Sequence, residues 1–261
     1  MADRPRFLTA SRALRLDPAD LDARAAWLGL TALHTRPLPT DEACLVLTRM
    51  GVRLQVPGGG AGLWPAGLVD WRSARGDTDA LVCALDLRPG ERVLDGTLGL
   101  GHDALLLARR GVRVLCLEHD PALLYYSAQG LLRYDPAAAR HLAFCCTDHR
   151  AFLPRQPTGA FDAVYLDPMF PPGRHRRSPT LEPLRRCALP DAVTPATLRD
   201  AWRVAARVLV LRLPPDGEVP SVEGLPEGLR IESRRVAFAA WRRPPGGPAL
   251  DPLLAVPADV C

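Results

Sequence analysis

The chain has 261 residues, 48% of them hydrophobic, with 33 basic against 29 acidic side chains and a formal net charge of +4. That is enough apolar material for one large domain, or for a main domain with a small appendage. Apolar runs such as Val208 to Leu213 are far too short for a bilayer, and the N-terminal MADRPRFLTASR has charges but no apolar core of a signal peptide, so a cytoplasmic protein with no membrane contact is expected. The seven cysteines show no CxxC pair and no zinc spacing, which points to reduced thiols and no metal site. All 33 basic residues are arginine; lysine and asparagine are absent and Ile231 is the only isoleucine, the mark of a GC-rich coding sequence. Arginine abundance is therefore poor evidence for nucleic-acid binding, and its distribution carries more.

In chain order, Pro18 to His34 places Leu21, Ala25, Leu28 and Leu33 at helical spacing, with Asp17 or Asp20 as cap. Leu45–Thr48 and Val52–Val56 read as paired strands around Arg49-Met50-Gly51, and Pro57-Gly58-Gly59-Gly60 breaks the pattern. Residues 1–75 thus read as a small α+β appendage. From Gly76 a β/α alternation begins: helix Thr78–Leu87, strand Arg92–Leu94, helix Asp103–Arg110, strand Val112–Leu117, helix Pro121–Arg133, strand His141–Cys146, a short helix near His149–Leu153 and strand Phe161–Leu166. Helix Pro195–Ala206, strand Val208–Leu213 and a final pair, Leu229–Ser233 and Val236–Trp241, close the alternation. Such a pattern predicts an α/β fold with a mostly parallel, doubly wound sheet over residues 76–243, followed by a proline- and glycine-rich tail, 244–261.

Two segments carry chemistry. The first is the turn Asp95-Gly96-Thr97-Leu98-Gly99-Leu100-Gly101 between a strand and a helix, where glycines permit positive φ and close approach of a ligand, and where the helix presents free N–H groups. Gly99-x-Gly101-x-x-Ala104 also fits the dinucleotide fingerprint, a weak match by itself. Asp95 favours S-adenosylmethionine (SAM), because a strand-tip carboxylate suits a cationic amino-acid group and would repel a pyrophosphate. Glu118 ends the next strand, where a carboxylate accepts ribose hydroxyls, and Asp148 follows the third, where it can accept from an adenine amine. Asp103 in a first helical turn fits the helix dipole; His102 and His119 flank the pocket as wall.

The second segment is Phe161 to Pro172, FDAVYLDPMFPP, a buried strand ending in Asp167-Pro168-Met169-Phe170. Proline holds the preceding aspartate extended. The Asp167 carboxylate and the Pro168 carbonyl can accept from the N–H groups of an exocyclic amine, and Phe170 can stack on a base. Such an arrangement positions a poor nucleophile for in-line attack on a methyl group. Arg174, Arg176, Arg177, Arg185 and Arg186 follow closely, and clustered guanidiniums suit phosphates.

LDGTLGLGHDA, LEHDP and above all VYLDPMFP resemble the RsmJ and YpiP-like group of class I SAM-dependent methyltransferases, over roughly Gly76 to Trp241. The resemblance implies a Rossmann-like class I methyltransferase fold and methylation of a guanine N2 in small-subunit ribosomal RNA. It also implies that His102, Asp103, Glu118, His119, Asp148 and His149 line the SAM pocket beside the Asp95, Thr97, Gly99 and Gly101 turn, with Asp167, Pro168 and Phe170 catalytic. Met169, Arg174, Arg176 and Arg177 are then substrate contacts. SPTLEPLRRCALPDAVTP is closer to the YpiP-like branch. Three other readings stand beside this one: an amine methyltransferase acting on a protein or small molecule, a nicotinamide-dependent oxidoreductase, and a noncatalytic RNA-binding domain. Oligomeric state is not encoded in any feature of the chain.

Overall fold

The computed structural model describes residues 5–34, 41–56, 62–168, 193–214, 216–233 and 236–244. Two sheets organise them. The first runs β1 (Pro5–Ala10), α1 (Pro18–Trp27), β2 (Thr31–Leu33), β3 (Ala43–Thr48), β4 (Gly51–Gln55) and β5 (Gly62–Leu63), with strand order β2-β1-β3-β4-β5. Strands β3 and β4 form the expected antiparallel hairpin, Leu47 opposite Val52. Asp17 caps α1, its carboxylate accepting from the Ala19 N–H at 2.8 Å. The helix is shorter than its apolar spacing predicts. Gly29 adopts φ +66° and the chain leaves the helical path. Thr31–Leu33 then pairs in parallel with β1, a strand absent from the sequence reading.

After α2 (Gly67–Ser73) and α3 (Ala80–Leu85) comes the second sheet: β6 (Arg92–Asp95), α4 (His102–Ala108), β7 (Arg113–Glu118), α5 (Pro121–Tyr134), α6 (Pro136–Ala139), β8 (Leu142–Cys146), α7 (His149–Phe152), β9 (Phe161–Leu166), α8 (Pro195–Val204), β10 (Ala205–Leu213), β11 (Leu229–Ser233) and β12 (Val236–Arg242). Its seven strands run β11-β12-β10-β9-β6-β7-β8. Strands β8, β7, β6, β9 and β10 are mutually parallel, and β12 is antiparallel to both β10 and β11.

Successive residues of each strand face opposite sides. Val93, Ala163, Tyr165, Val208 and Phe238 join one apolar core with α3, α4 and α5; Leu94, Val164, Leu166, Leu209 and Trp241 join the other with residues of α7 and α8. Both faces are therefore covered, as the near-continuous apolar strands require. The first of these cores continues without a break into the N-terminal sheet through Leu8, Leu45 and Leu54.

Register aligns the carboxyl ends of the central strands. Asp95 lies opposite Tyr165, and Leu166 opposite Leu211. Trp64 fastens the segment between the sheets to α4 and α5. Its indole N–H donates to the Leu100 carbonyl at 2.8 Å, and its ring lies 4.9 Å from that of His102 and 5.4 Å from that of Tyr134. Gly130 of α5 makes room: a Cβ there would sit 2.3 Å from Trp64 Cγ and 2.4 Å from its Cβ. In an exposed helix Gly→Ala stabilises, but here the obstacle is the root of a buried indole. We expect Gly130→Ala to destabilise the protein by about 1–3 kcal/mol, the scale for overpacking, seen as a lower urea midpoint.

Candidate active site

The turn after β6 is held by its neighbours on both sides. The Gly96 N–H donates to the Tyr165 carbonyl at 2.9 Å and the Leu98 N–H to the Leu117 carbonyl at 2.9 Å. Ser127 Oγ donates to the Gly99 carbonyl at 2.6 Å. Gly101 has φ +74°, and a Cβ on it would lie 2.6 Å from Leu131 Cδ1, so glycine is required there for conformation and for space. Asp95 is sealed beneath this turn, 1% exposed, and accepts from the Thr97 N–H at 3.1 Å. Burial holds its carboxyl well above the usual range, opposed by that hydrogen bond.

Glu118, at the tip of β7, reaches back to the same turn. One carboxylate oxygen accepts from the Gly99 N–H at 3.3 Å; the other accepts from the Asp120 N–H at 3.0 Å and lies 3.0 Å from His119 Nδ1. Gly96, Thr97, Leu117, Glu118, His119, Thr147, Asp148 and His149 line an open cleft of about 170 Å³. Asp148 caps α7 and binds the Arg150 guanidinium, which lowers its carboxyl to about 2. Burial pushes the His149 imidazole below its ordinary value, and its Nε2 is buried with no hydrogen-bond partner among the described residues. Glu118, whose Oε2 accepts only from Gly99 among the described contacts, and the orphaned His149 ring nitrogen suit a ligand that carries hydroxyl and nitrogen groups.

His102 and Asp103 start α4 but face away from this cleft. His102 Nε2 lies 2.6 Å from the Pro65 carbonyl, and burial lowers its pKa. Asp103 accepts from Arg72 of α2 and from the Tyr165 hydroxyl, the latter at 2.7 Å. Burial alone would raise the Asp103 carboxyl; the Arg72 guanidinium, with Arg212 and the Tyr165 hydroxyl, outweighs it and the net shift is downward. Arg72 also binds Asp79, the cap of α3, through two 3.0 Å hydrogen bonds.

Asp167 leaves β9 next to the glycine turn. Its backbone N–H donates to Thr97 Oγ1 at 2.6 Å, and its carboxylate accepts from Arg212 at 3.2 Å. Its side chain stays 30% exposed. Burial pushes its carboxyl above the usual range, with Arg212 pulling the other way and Asp103 adding to the rise. Thus Asp95, Thr97, Asp103 and Asp167 converge, while Glu118, His119, Asp148 and His149 form the adjoining cleft. Pro168 is the last described residue of the loop; Met169, Phe170, Arg174, Arg176 and Arg177 lie outside the described residues, as do Arg185 and Arg186. Sequence reasoning passed over Arg72, Tyr165 and Arg212. Only Arg212 left a signal: a charge within the otherwise apolar strand run VLVLRL.

A SAM-dependent methyltransferase family model matches residues 65–222, more than half of the chain. The chain belongs to the SAM-dependent methyltransferase family. Its cofactor is SAM, which sets aside the nicotinamide alternative, and the resemblance carried by VYLDPMFP is borne out. Ribosomal RNA small subunit methyltransferase J of Laribacter hongkongensis is 36% identical over 168 residues, 60% of this chain and 59% of that protein. The protein of the same name from Alcanivorax borkumensis is 38% identical over 128 residues, 46% of this chain and 50% of its own length, so each of these matches spans less than two thirds of the relative. The one from Alkalilimnicola ehrlichii is 30% identical over 248 residues, covering 87% of this chain and 92% of that protein. A SAM-dependent methyltransferase from Neisseria gonorrhoeae shares the fold with a TM-score of 0.66 at 20% identity, over 93% of this chain and 97% of that one. The Rossmann-like class I fold is thereby borne out.

Two buried imidazoles, His102 and His149, have pKa values lowered by burial. The unfolded chain binds those protons more readily, so acid favours unfolding. Stability should be fully present above the unfolded histidine value of about 6.5 and decline as pH falls below it. Urea midpoints measured at stepped pH should show that slope, and His149→Asn should flatten it.

Proposed function

We propose that this protein transfers the methyl group of SAM to an exocyclic amine, guanine N2 of small-subunit ribosomal RNA, in the cytoplasm. The observation that carries the reading is Asp167, a half-shielded carboxylate held at a strand tip and tied through its backbone to Thr97 of the glycine turn. The names of the relatives support the RNA substrate. No helix among the described residues is long and apolar enough to cross a membrane.

In this reading Glu118 accepts from the ribose hydroxyls, Asp148 and His149 meet the adenine, and the Gly96–Gly101 backbone wraps the cofactor. Asp95 lies sealed beneath the turn at the amino-acid end and orients that turn through the Thr97 N–H. Bound SAM supplies an electrophilic methyl group. The substrate amine donates to the Asp167 carboxylate and to the Pro168 carbonyl, which turns its lone pair toward that methyl. A carboxylate whose proton affinity is raised by burial can also take the proton the amine releases. Phe170 and Met169 would flank the base, which must leave its stack to reach the site. Arg174, Arg176 and Arg177 would hold phosphates, and the N-terminal residues 1–75 would extend that surface beside the catalytic domain, 76–243.

Asp167→Ala should abolish turnover and leave SAM affinity nearly unchanged, since the interaction belongs to the transition state. The decisive measurement is mass spectrometry of ribosomal RNA nucleosides from a deletion strain. N2-methylguanosine should be depleted in the small subunit, restored in vitro by the wild-type protein and not by Asp167→Ala. An unchanged nucleoside profile would overturn the RNA assignment. For the cofactor half, Glu118→Ala should weaken SAM binding by about 1.5–3 kcal/mol, the scale of a hydrogen bond to a charged group; calorimetry showing wild-type affinity would remove Glu118 from the pocket.

A further inference from the structure

We propose that Arg212 is the positioning residue for Asp167: it holds one carboxylate oxygen so that the other faces the amine receiving the methyl group. This rests on the function proposed above and names a residue to which no role there is given.

Three acids crowd this end of the sheet. Asp103 of α4 and Asp95 of β6 both lie close enough to Asp167 for like-charge repulsion. Two arginines of the described residues face them. Arg72 of α2 is committed, with both its Nε and its terminal nitrogens on Asp79 and Asp103. Arg212 of β10 is the cation that reaches Asp167, with Nη1 at 3.2 Å from Oδ2. Tyr165, the remaining titratable neighbour and on Asp167's own strand, donates its hydroxyl to Asp103 at 2.7 Å and also bears on Asp167 and Arg212.

Arg212 is itself held. Register pairs Leu211 with Leu166, which brings the next residue of β10 alongside Asp167. Across the sheet Arg212 lies opposite Phe238 of β12, and its guanidinium sits 5.9 Å from the centre of that fully buried ring. A guanidinium over an aromatic face keeps its N–H edge available for a carboxylate. Asp167 thus has three constraints: Pro168 behind it, Thr97 on its backbone N–H, and Arg212 on Oδ2. On this proposal Oδ1 is the oxygen that meets the substrate amine. A protonated Asp167 would donate rather than accept, so the cation also keeps the group an acceptor at working pH.

The test has one readout that needs no substrate. In the carbon-13 NMR spectrum of aspartate-labelled full-length protein, with the Asp167 signal assigned by its loss in Asp167→Asn, Arg212→Gln should raise the carboxyl titration by about one pH unit or more. Arg212→Lys should keep it near wild type. In turnover, Arg212→Gln should lower kcat about 10²-fold at neutral pH, move the acid limb of the kcat profile upward by the same shift, and leave SAM affinity within experimental error. Arg212→Lys should keep the limb in place while losing part of kcat, because a point charge lacks the planar fork. An unmoved titration in Arg212→Gln, or a loss of kcat uniform across pH, would overturn the proposal. If Arg212→Gln does not fold, Arg212→Lys decides: a displaced limb, or undiminished kcat, rejects the positioning role. Absence of methyl transfer by the wild-type protein would instead reject the proposed function, and the NMR titration would still decide what Arg212 does to Asp167.

Discussion

Parallel strands in fixed register bring the carboxyl groups of Asp95 and Asp167 to the same end of one sheet, and the first turn of α4 adds Asp103. Such a cluster is costly, because each acid is shielded from water and each repels the others. The structure offsets the cost with two guanidiniums from opposite directions. Arg72 arrives from α2, ahead of the sheet in sequence, and Arg212 from the tip of β10. Removing one partner of such a pair strands a buried charge, so these contacts constrain more than they stabilise. Arg72 also joins Asp103 to Asp79, the cap of α3. The placement of α2, α3 and α4 around the site is therefore coupled to the ionisation of one aspartate.

The glycine turn meets the same requirement on its other side. Backbone groups of Gly96, Leu98 and Gly99 are tied to β9, β7 and α5. Glu118 is part of that support, because it accepts from Gly99 while it also lines the cleft. A carboxylate with both oxygens already oriented by backbone N–H groups needs little reordering to meet a ligand, so less conformational entropy is lost on binding. The turn and the cleft wall are thus joined directly by hydrogen bonds.

Much of this was legible in the chain. Phe161–Leu166 is bounded as read because an apolar run stops at Asp-Pro, where proline forbids continuation of the sheet. The β/α alternation was readable because each helix carries its own cap or break, such as Asp120 before α5. What escaped was fixed by distant partners. β2 exists because β1 captures three residues that Gly29 frees from a helix. His102 and Asp103 stand beside the turn in sequence, yet Trp64, Pro65 and Arg72 decide where they face. Arg212 meets Asp167 across 45 residues, a pairing that needs the strand order and the register together.

In the proposed reaction, methyl transfer to a delocalised amine asks more of geometry than of acid strength, and the anchors around Asp167 would serve that demand. A loose carboxylate would bind the amine in many orientations, few with the lone pair in line. The proline that follows holds the backbone of Asp167 extended, and Thr97 fixes its backbone N–H to the glycine turn. Asp167 and the glycine turn are then referenced to one another through a single hydrogen bond of 2.6 Å rather than through the length of two strands. Displacement of the turn would move the acid with it, so their relative geometry survives motions of the surrounding sheet. Arg212, 3.2 Å from Oδ2, would complete the arrangement by restricting rotation about the side chain, which the backbone anchors leave open.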